Sequence, residues 1–299
     1  MTSPAVRITN PRTDVSVVKT YVELMKLRII ELLLITTLPA MVAAAGGWPG
    51  SWLVFATLLG GTLSAAGANA INQAIDRDID RLMSRTRGRP LPTDRVSVRA
   101  VVVFGVGLGV AGFVWLWATT NLLAATLSTV GLLFYVLVYS LMLKRHTTQN
   151  IVIGGAAGAM PALVGWAAVT NTVALPAWIM FAIVFFWTPP HFWALAIRYH
   201  EDYERAGVPM LPVVVGAKRA LDHMVAYTVV LVGVSLLLYT TGVVGWIYLA
   251  VAAVAGVAFL IGTWALRDHP EAAMKYFGYS NVYLSVVFVA VAADVLILG

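Results

Sequence analysis

Nine apolar stretches, each long enough to cross a bilayer, follow one another along the chain with only short polar segments between them. They lie near residues 22–45, 52–75, 98–118, 121–143, 150–170, 176–198, 220–240, 243–266 and 277–298. About 20 apolar residues span the hydrocarbon as a helix, the form that satisfies every backbone polar group within one segment. Charged residues make up 11% of the 299-residue chain, about half the share usual in a soluble domain. The pattern predicts an all-α integral membrane protein of nine transmembrane helices, with a polar leader over 1–21 and one membrane domain over 22–299.

The net charge of +6 would suggest a nucleic-acid partner in a soluble protein, but the positions of the basic residues exclude that reading. All twenty lysines and arginines fall before or at the start of the first stretch, or in and at the ends of every second connection after it, among them Arg77 to Arg99, Lys144 with Arg145, and Arg198 to Arg219. The intervening connections carry none. Basic residues are retained on the cytoplasmic side, so the N-terminus is expected inside and the C-terminus outside. There is no cysteine, which removes disulfides and thiolate metal ligands from consideration.

Two cytoplasmic connections are longer than turns, 77–97 and 199–217. Functional residues concentrate on such loops. At the edge of the second stretch Asn72, Asp76 and Asp80 recur every fourth residue. Steps of four advance about 40° around a helix, so the three share a face while Asp78 points nearly opposite. Carboxylates four apart repel, and acids at the hydrocarbon edge are costly and usually functional. A hard divalent cation would relieve the repulsion, and Mg²⁺ commonly binds through one or two carboxylates plus substrate phosphates. Arg81, Arg85, Arg87 and Arg89 follow at once, a density of guanidinium groups suited to phosphate. Together these features suggest a diphosphate site, with a solvated helix end and topology-setting arginines as the plainer alternative.

The motif N-x-x-x-D-x-x-x-D followed by M-x-R-T-x-x-R-P-L-P, residues 72–92, resembles the first signature of UbiA-type intramembrane prenyltransferases, particularly their haem O synthase branch. The segments LKRHTTQNIVIGGAAGAMPALVGWAAV (143–169), WTPPHFWALAI (187–197) and DYERAGVPMLPVV (202–214) are similar to that branch as well. The second aspartate motif of the wider family is reduced here to Asp202, because Arg198 stands four residues before it.

The resemblance implies farnesyl diphosphate and haem B as substrates and haem O and diphosphate as products. It implies Mg²⁺ held by Asp76, Asp80 and Asp202 with Asn72 assisting, and diphosphate bound by Lys26, Arg85, Arg87, Arg89, Lys144 and Arg145. The cell membrane is the implied location, with the active site on its cytoplasmic side. Pro189 and Pro190 are expected to interrupt the sixth stretch in mid-membrane, and His191 beside them, with His200, is a candidate haem ligand. Glu31 and Asp294 are isolated intramembrane acids to which the sequence gives no role. Two other functions fit parts of this pattern. One is a prenyltransferase with an aromatic quinone precursor as acceptor. The other is a secondary transporter, in which broken helices and buried acids would mark a solute path.

Overall fold

The computed structural model describes residues 16–298, and the side chains of all of these except 28, 29 and 31–33. Glu31 and the leader arginines Arg7 and Arg12 therefore lie outside what is described. Every regular element among the described residues is helical. In chain order these are α1 (Val17–Met25), α2 (Leu27–Ala45), α3 (Ser51–Ile75), α4 (Arg77–Leu82), α5 (Val98–Thr119) and α6 (Leu122–Leu143). There follow α7 (Asn150–Thr170), α8 (Leu175–Arg198), α9 (His200–Arg205), α10 (Leu211–Val215), α11 (Ala217–Leu237), α12 (Trp246–Ala265) and α13 (Ala273–Leu298).

Among the described residues eight helices are long and apolar enough to cross a membrane: α3, α5, α6, α7, α8, α11, α12 and α13. They coincide with eight of the nine expected spans. The remaining one, expected over 22–45, is divided at Lys26, whose left-handed backbone (φ 52°, ψ 52°) turns the chain from α1 into α2. The apolar part that follows, Leu34–Ala45, is shorter. Polar side chains of α3 favour the break, because Asn69 Nδ2 donates to Met25 O (3.1 Å) and Gln73 Nε2 to Leu24 O (2.8 Å). These bonds occupy the last carbonyls of α1, which a longer helix would have used itself.

The long helices form a closed bundle in which each packs on the next and α13 returns to α2 and α8. The tightest approach is between α3 and α5, where a Cβ on Gly67 would meet Gly105 O at 2.5 Å and Gly109 N at 2.9 Å. Small residues permit such contact, and dispersion between close backbones replaces the hydrophobic drive that lipid removes. Side chains larger than hydrogen at Gly67 would force the helices apart.

Helix α8 is the most enclosed of the spans. It runs unbroken from Leu175 through Pro189 and Pro190 to Arg198, contrary to the expected interruption. Two backbone donors are lost there, but α7, α11 and α13 hold the helix on several sides, and hydrocarbon offers no competing water. Asp294, in α13, has a structural task. It is 1% exposed and accepts from the backbone N–H groups of Gly245 and of Tyr248 (2.9 Å), so it caps the start of α12 across the bundle. Free N–H groups at that helix end would otherwise remain unsatisfied.

Candidate active site

The long span α3 ends at Ile75, and Asp76 (φ −87°, ψ 5°) joins it to the short α4. Despite this joint, Asn72, Asp76 and Asp80 are all buried, at 3%, 1% and 2% exposure, whereas the Asp78 side chain is 64% exposed. The spacing of four thus keeps its consequence through the change of helix.

Each buried acid has its own cation. Lys144 Nζ lies 2.5 Å from Asp76 Oδ2, and Arg89 forks onto both oxygens of Asp80 at 3.0 and 2.7 Å. Asn72 is oriented from both ends: its Oδ1 accepts from Lys26 Nζ (2.9 Å), and its Nδ2 donates to Asp76 Oδ2 (2.8 Å) and Ser140 Oγ (3.0 Å). The left-handed turn at Lys26 aims its ammonium group at Asn72, and such strain in a non-glycine residue is tolerated where surrounding contacts enforce it.

Lys144 and Ser140 reach the site through an irregularity of α6. Its last ten residues, Phe134–Leu143, form a π-helix, and the pattern closes with Lys144 N donating to Tyr139 O (2.8 Å). Ser140 Oγ likewise donates five residues back to Tyr135 O (2.8 Å) while accepting from Asn72. Wider turns of this kind occur mostly at functional sites.

Asp202, at 5% exposure, sits in α9 after the end of α8. Ser84 donates to its Oδ2 from both N (2.9 Å) and Oγ (2.5 Å), and Arg205 lies 2.9 Å from its Oδ1. Burial opposes ionisation of this carboxyl, but the bonds from Ser84 and the charge of Arg205 hold it below its usual range. Its partners are thus Ser84 and Arg205 and not Arg198. Among the described residues no three acidic or imidazole side chains converge as metal ligands. In this arrangement Asp202 latches the loop after α4 to the loop after α8.

The cations expected at a diphosphate also divide. Lys26, Lys144 and Arg89 join the buried cluster. Arg145 does not, since it forks onto Asp78 (2.6 Å to each oxygen) and donates to Ile75 O. That bidentate pair holds the Asp78 carboxyl down at about 2. Arg85 lies over the ring of Tyr199, and Arg87 is exposed with no carboxylate partner among the described residues. His191 is packed between Trp187 and Phe277, with ring centroids 4.2 and 4.1 Å away, and its Nδ1 meets Ser280 Oγ at 2.7 Å. His200 is only near Glu204, at 4.0 Å.

Sequence reasoning missed Ser84, Ser140, Asn69 and Gln73. For the last two a signal existed, because amides four apart in an apolar helix require partners. Nothing local marks the two serines.

Residues 33–287 match the UbiA prenyltransferase family. The chain belongs to that family. It is 52% identical over 288 residues to protoheme IX farnesyltransferase 2 of Saccharopolyspora erythraea, covering 95% of this chain and 88% of the relative. A protoheme IX farnesyltransferase of a Mycobacterium species is 49% identical over 281 residues, 92% of this chain and 89% of that one. The fold is similar to that of a digeranylgeranylglyceryl phosphate synthase, with a TM-score of 0.77 at 21% identity over 93% of this chain and 98% of that one. It is also similar to a UbiA homologue from Archaeoglobus fulgidus bound to DMAPP and Mg²⁺, with a TM-score of 0.65 at 20% identity over 92% and 99% of the two chains. As a member of this family the chain is a multi-pass membrane enzyme, a prenyltransferase.

The site fits a hard cation. Asp76 Oδ1 is buried with no hydrogen-bond partner, an arrangement that costs about 1–3 kcal/mol unless something fills it. The cluster's oxygen atoms belong to the carboxylates of Asp76 and Asp80 and the amide of Asn72, the kind of ligand Mg²⁺ prefers.

Proposed function

We propose that this enzyme transfers the farnesyl group of farnesyl diphosphate to a vinyl group of haem B, giving haem O and diphosphate. The observation that carries the reading is 49–52% identity, over more than nine-tenths of the chain, to relatives named protoheme IX farnesyltransferase. The buried cluster of two aspartates with matched cations is what such a reaction needs at its leaving group.

Mg²⁺, held by Asp76 and Asp80 with Asn72 beside them, would act as a Lewis acid toward the diphosphate. Lys144 and Arg89 stand where they can transfer from the carboxylates, and Lys26 from the Asn72 amide oxygen, to the phosphate oxygens. Breaking the C1–O bond of farnesyl diphosphate leaves the electron pair on diphosphate and an allylic cation on the prenyl chain. The vinyl group then supplies the electrons of the new carbon–carbon bond. Water adds to the resulting porphyrin-side cation and loses a proton, which leaves the hydroxyethylfarnesyl substituent. No base is needed for the first bond, so the chain's main duties are to bind, neutralise and keep water from the first cation.

The membrane is the cell membrane, and the reactive cluster faces the cytoplasm with the N-terminus inside and the C-terminus outside. The support is the restriction of every lysine and arginine to alternate connections. Purified protein supplied with haem B, farnesyl diphosphate and Mg²⁺ should yield a product heavier than haem B by one farnesyl group and one hydroxyl group. If mass spectrometry found haem unchanged while a quinone precursor was prenylated, the acceptor would be wrong although the family is right.

A further inference from the structure

Most arginines on the cytoplasmic side are matched to acids: Arg89 to Asp80, Arg145 to Asp78, Arg205 to Asp202. Arg85 and Arg198 are among those that are not. Neither makes a salt bridge among the described residues, yet both guanidinium groups lie over one ring, that of Tyr199, at 5.8 and 5.5 Å from its centroid. Two cations on one tyrosine are therefore within about 11 Å of each other. The ring attracts each of them, but no carboxylate among the described residues neutralises the pair.

This arrangement is built and not incidental. Arg198 is in the last turn of α8, and Tyr199 caps that helix. Arg85 follows Ser84, whose N and Oγ are both fixed on Asp202, four residues after Arg198. The Asp202 latch thus brings the two long cytoplasmic loops together with one arginine from each. Tyr199 in turn packs against a small core that includes Ile79, Met83 and Tyr203, so the platform has a firm base.

Two guanidinium groups with no carboxylate partner among the described residues, set on an aromatic platform, suit a flat ligand with two carboxylates on one edge. Haem B has that shape, with two propionates on one side of the macrocycle and its vinyl groups on the other. We propose that Arg85 and Arg198, set by Tyr199, bind the two propionates of the acceptor. The propionate edge then lies at the cytoplasmic rim, and the vinyl edge points toward the buried aspartates where the prenyl donor reacts. This inference rests on haem as the acceptor. It also separates Arg85 from the diphosphate set, to which Lys26, Lys144 and Arg89 are already better placed.

The test compares haem B with its dimethyl ester, which keeps the vinyls and the ring but has no carboxylates. Each is titrated into the full chain in detergent without prenyl donor and followed by Soret absorbance. Wild type should bind the diacid about tenfold or more tightly than the diester, as charge-assisted hydrogen bonds require. Arg85→Gln and Arg198→Gln should each lose most of that preference, and the double variant should bind the two alike, with the KM for farnesyl diphosphate within about twofold of wild type. Equal binding of diacid and diester by wild type would overturn the inference, as would a preference that survives in the double variant. A rise confined to the KM for farnesyl diphosphate would assign the pair to diphosphate instead. Loss of the wild-type diacid preference on adding anionic lipid would assign the pair to lipid headgroups instead and overturn the inference. Conversion of haem B by wild type is scored separately by mass spectrometry, so failure of the acceptor reading is distinguishable from failure of the clamp.

Discussion

Replacing Lys144 by methionine should make the site, with no substrate added, bind a divalent ion more tightly while making the enzyme worse. Lys144 Nζ lies 2.5 Å from Asp76 Oδ2, with the lysine side chain 15% and the aspartate 1% exposed. At that burial, salt in the medium screens the pair little. A metal arriving without diphosphate must displace the ammonium group from the carboxylate. A hydrogen bond to a charged group is worth about 1.5–3 kcal/mol, and each 1.4 kcal/mol is a factor of ten in affinity. Lys144→Met should therefore tighten Mn²⁺ binding by about ten- to a hundredfold, provided the vacated space does not collapse onto Asp76. Counting free Mn²⁺ by electron paramagnetic resonance in detergent, with no substrate present, measures this directly. The same variant should show a raised KM for farnesyl diphosphate, because one of the three cations available to the phosphates is gone. Unchanged or weaker Mn²⁺ binding would refute the idea that lysine and metal compete for Asp76.

Asp76→Asn and Asp80→Asn should each abolish transfer in protein that still inserts, while Asp78→Asn, which breaks only an exposed pair with Arg145, should cost under about 1 kcal/mol of stability and leave turnover near wild type. Asp202→Asn and Ser84→Ala remove the two sides of one latch, so both should raise the KM for substrates with unchanged Mg²⁺ dependence; a shift in Mg²⁺ dependence for Asp202→Asn alone would place that carboxylate at the metal in the loaded enzyme. Single cysteines at Gly50, Asn121, Asn171 and Gly242 should react with an impermeant reagent from outside, and those at Arg95, Thr148 and Ala217 should not; a mixed result within either set would overturn the topology.

Much of the architecture was legible because the bilayer imposes a length on each span and a sign on each loop. The divided span at Lys26 was not, since what ends α1 is a pair of amides more than forty residues away. Pro189 and Pro190 read as a break, yet α8 continues through them because neighbouring helices decide the matter. At the site the spacing of four placed Asn72, Asp76 and Asp80 together and Asp78 apart, a local property of helices. The pairings of Lys26 with Asn72, Lys144 with Asp76 and Ser84 with Asp202 join residues 46, 68 and 118 apart in the chain. A single sequence records no such distances. Nor could it show that Arg85 and Arg145, neighbours of Asp80 and Lys144 in their motifs, would be engaged elsewhere.

The π-helical end of α6 has a consequence for which length changes this chain can accept. A π-turn holds one residue more than an α-turn. Deleting a single residue between Phe134 and Leu143 is absorbed by reversion to α geometry, which leaves later positions facing nearly as they do now. A residue added before Ser140 has no such slack, and would turn every later position by about 100° about the axis. Lys144 would swing off Asp76 and Ser140 off Asn72, leaving an acid without its counter-ion. A lipid-facing segment that tolerates almost any apolar substitution is in this way more tolerant of losing one residue than of gaining one.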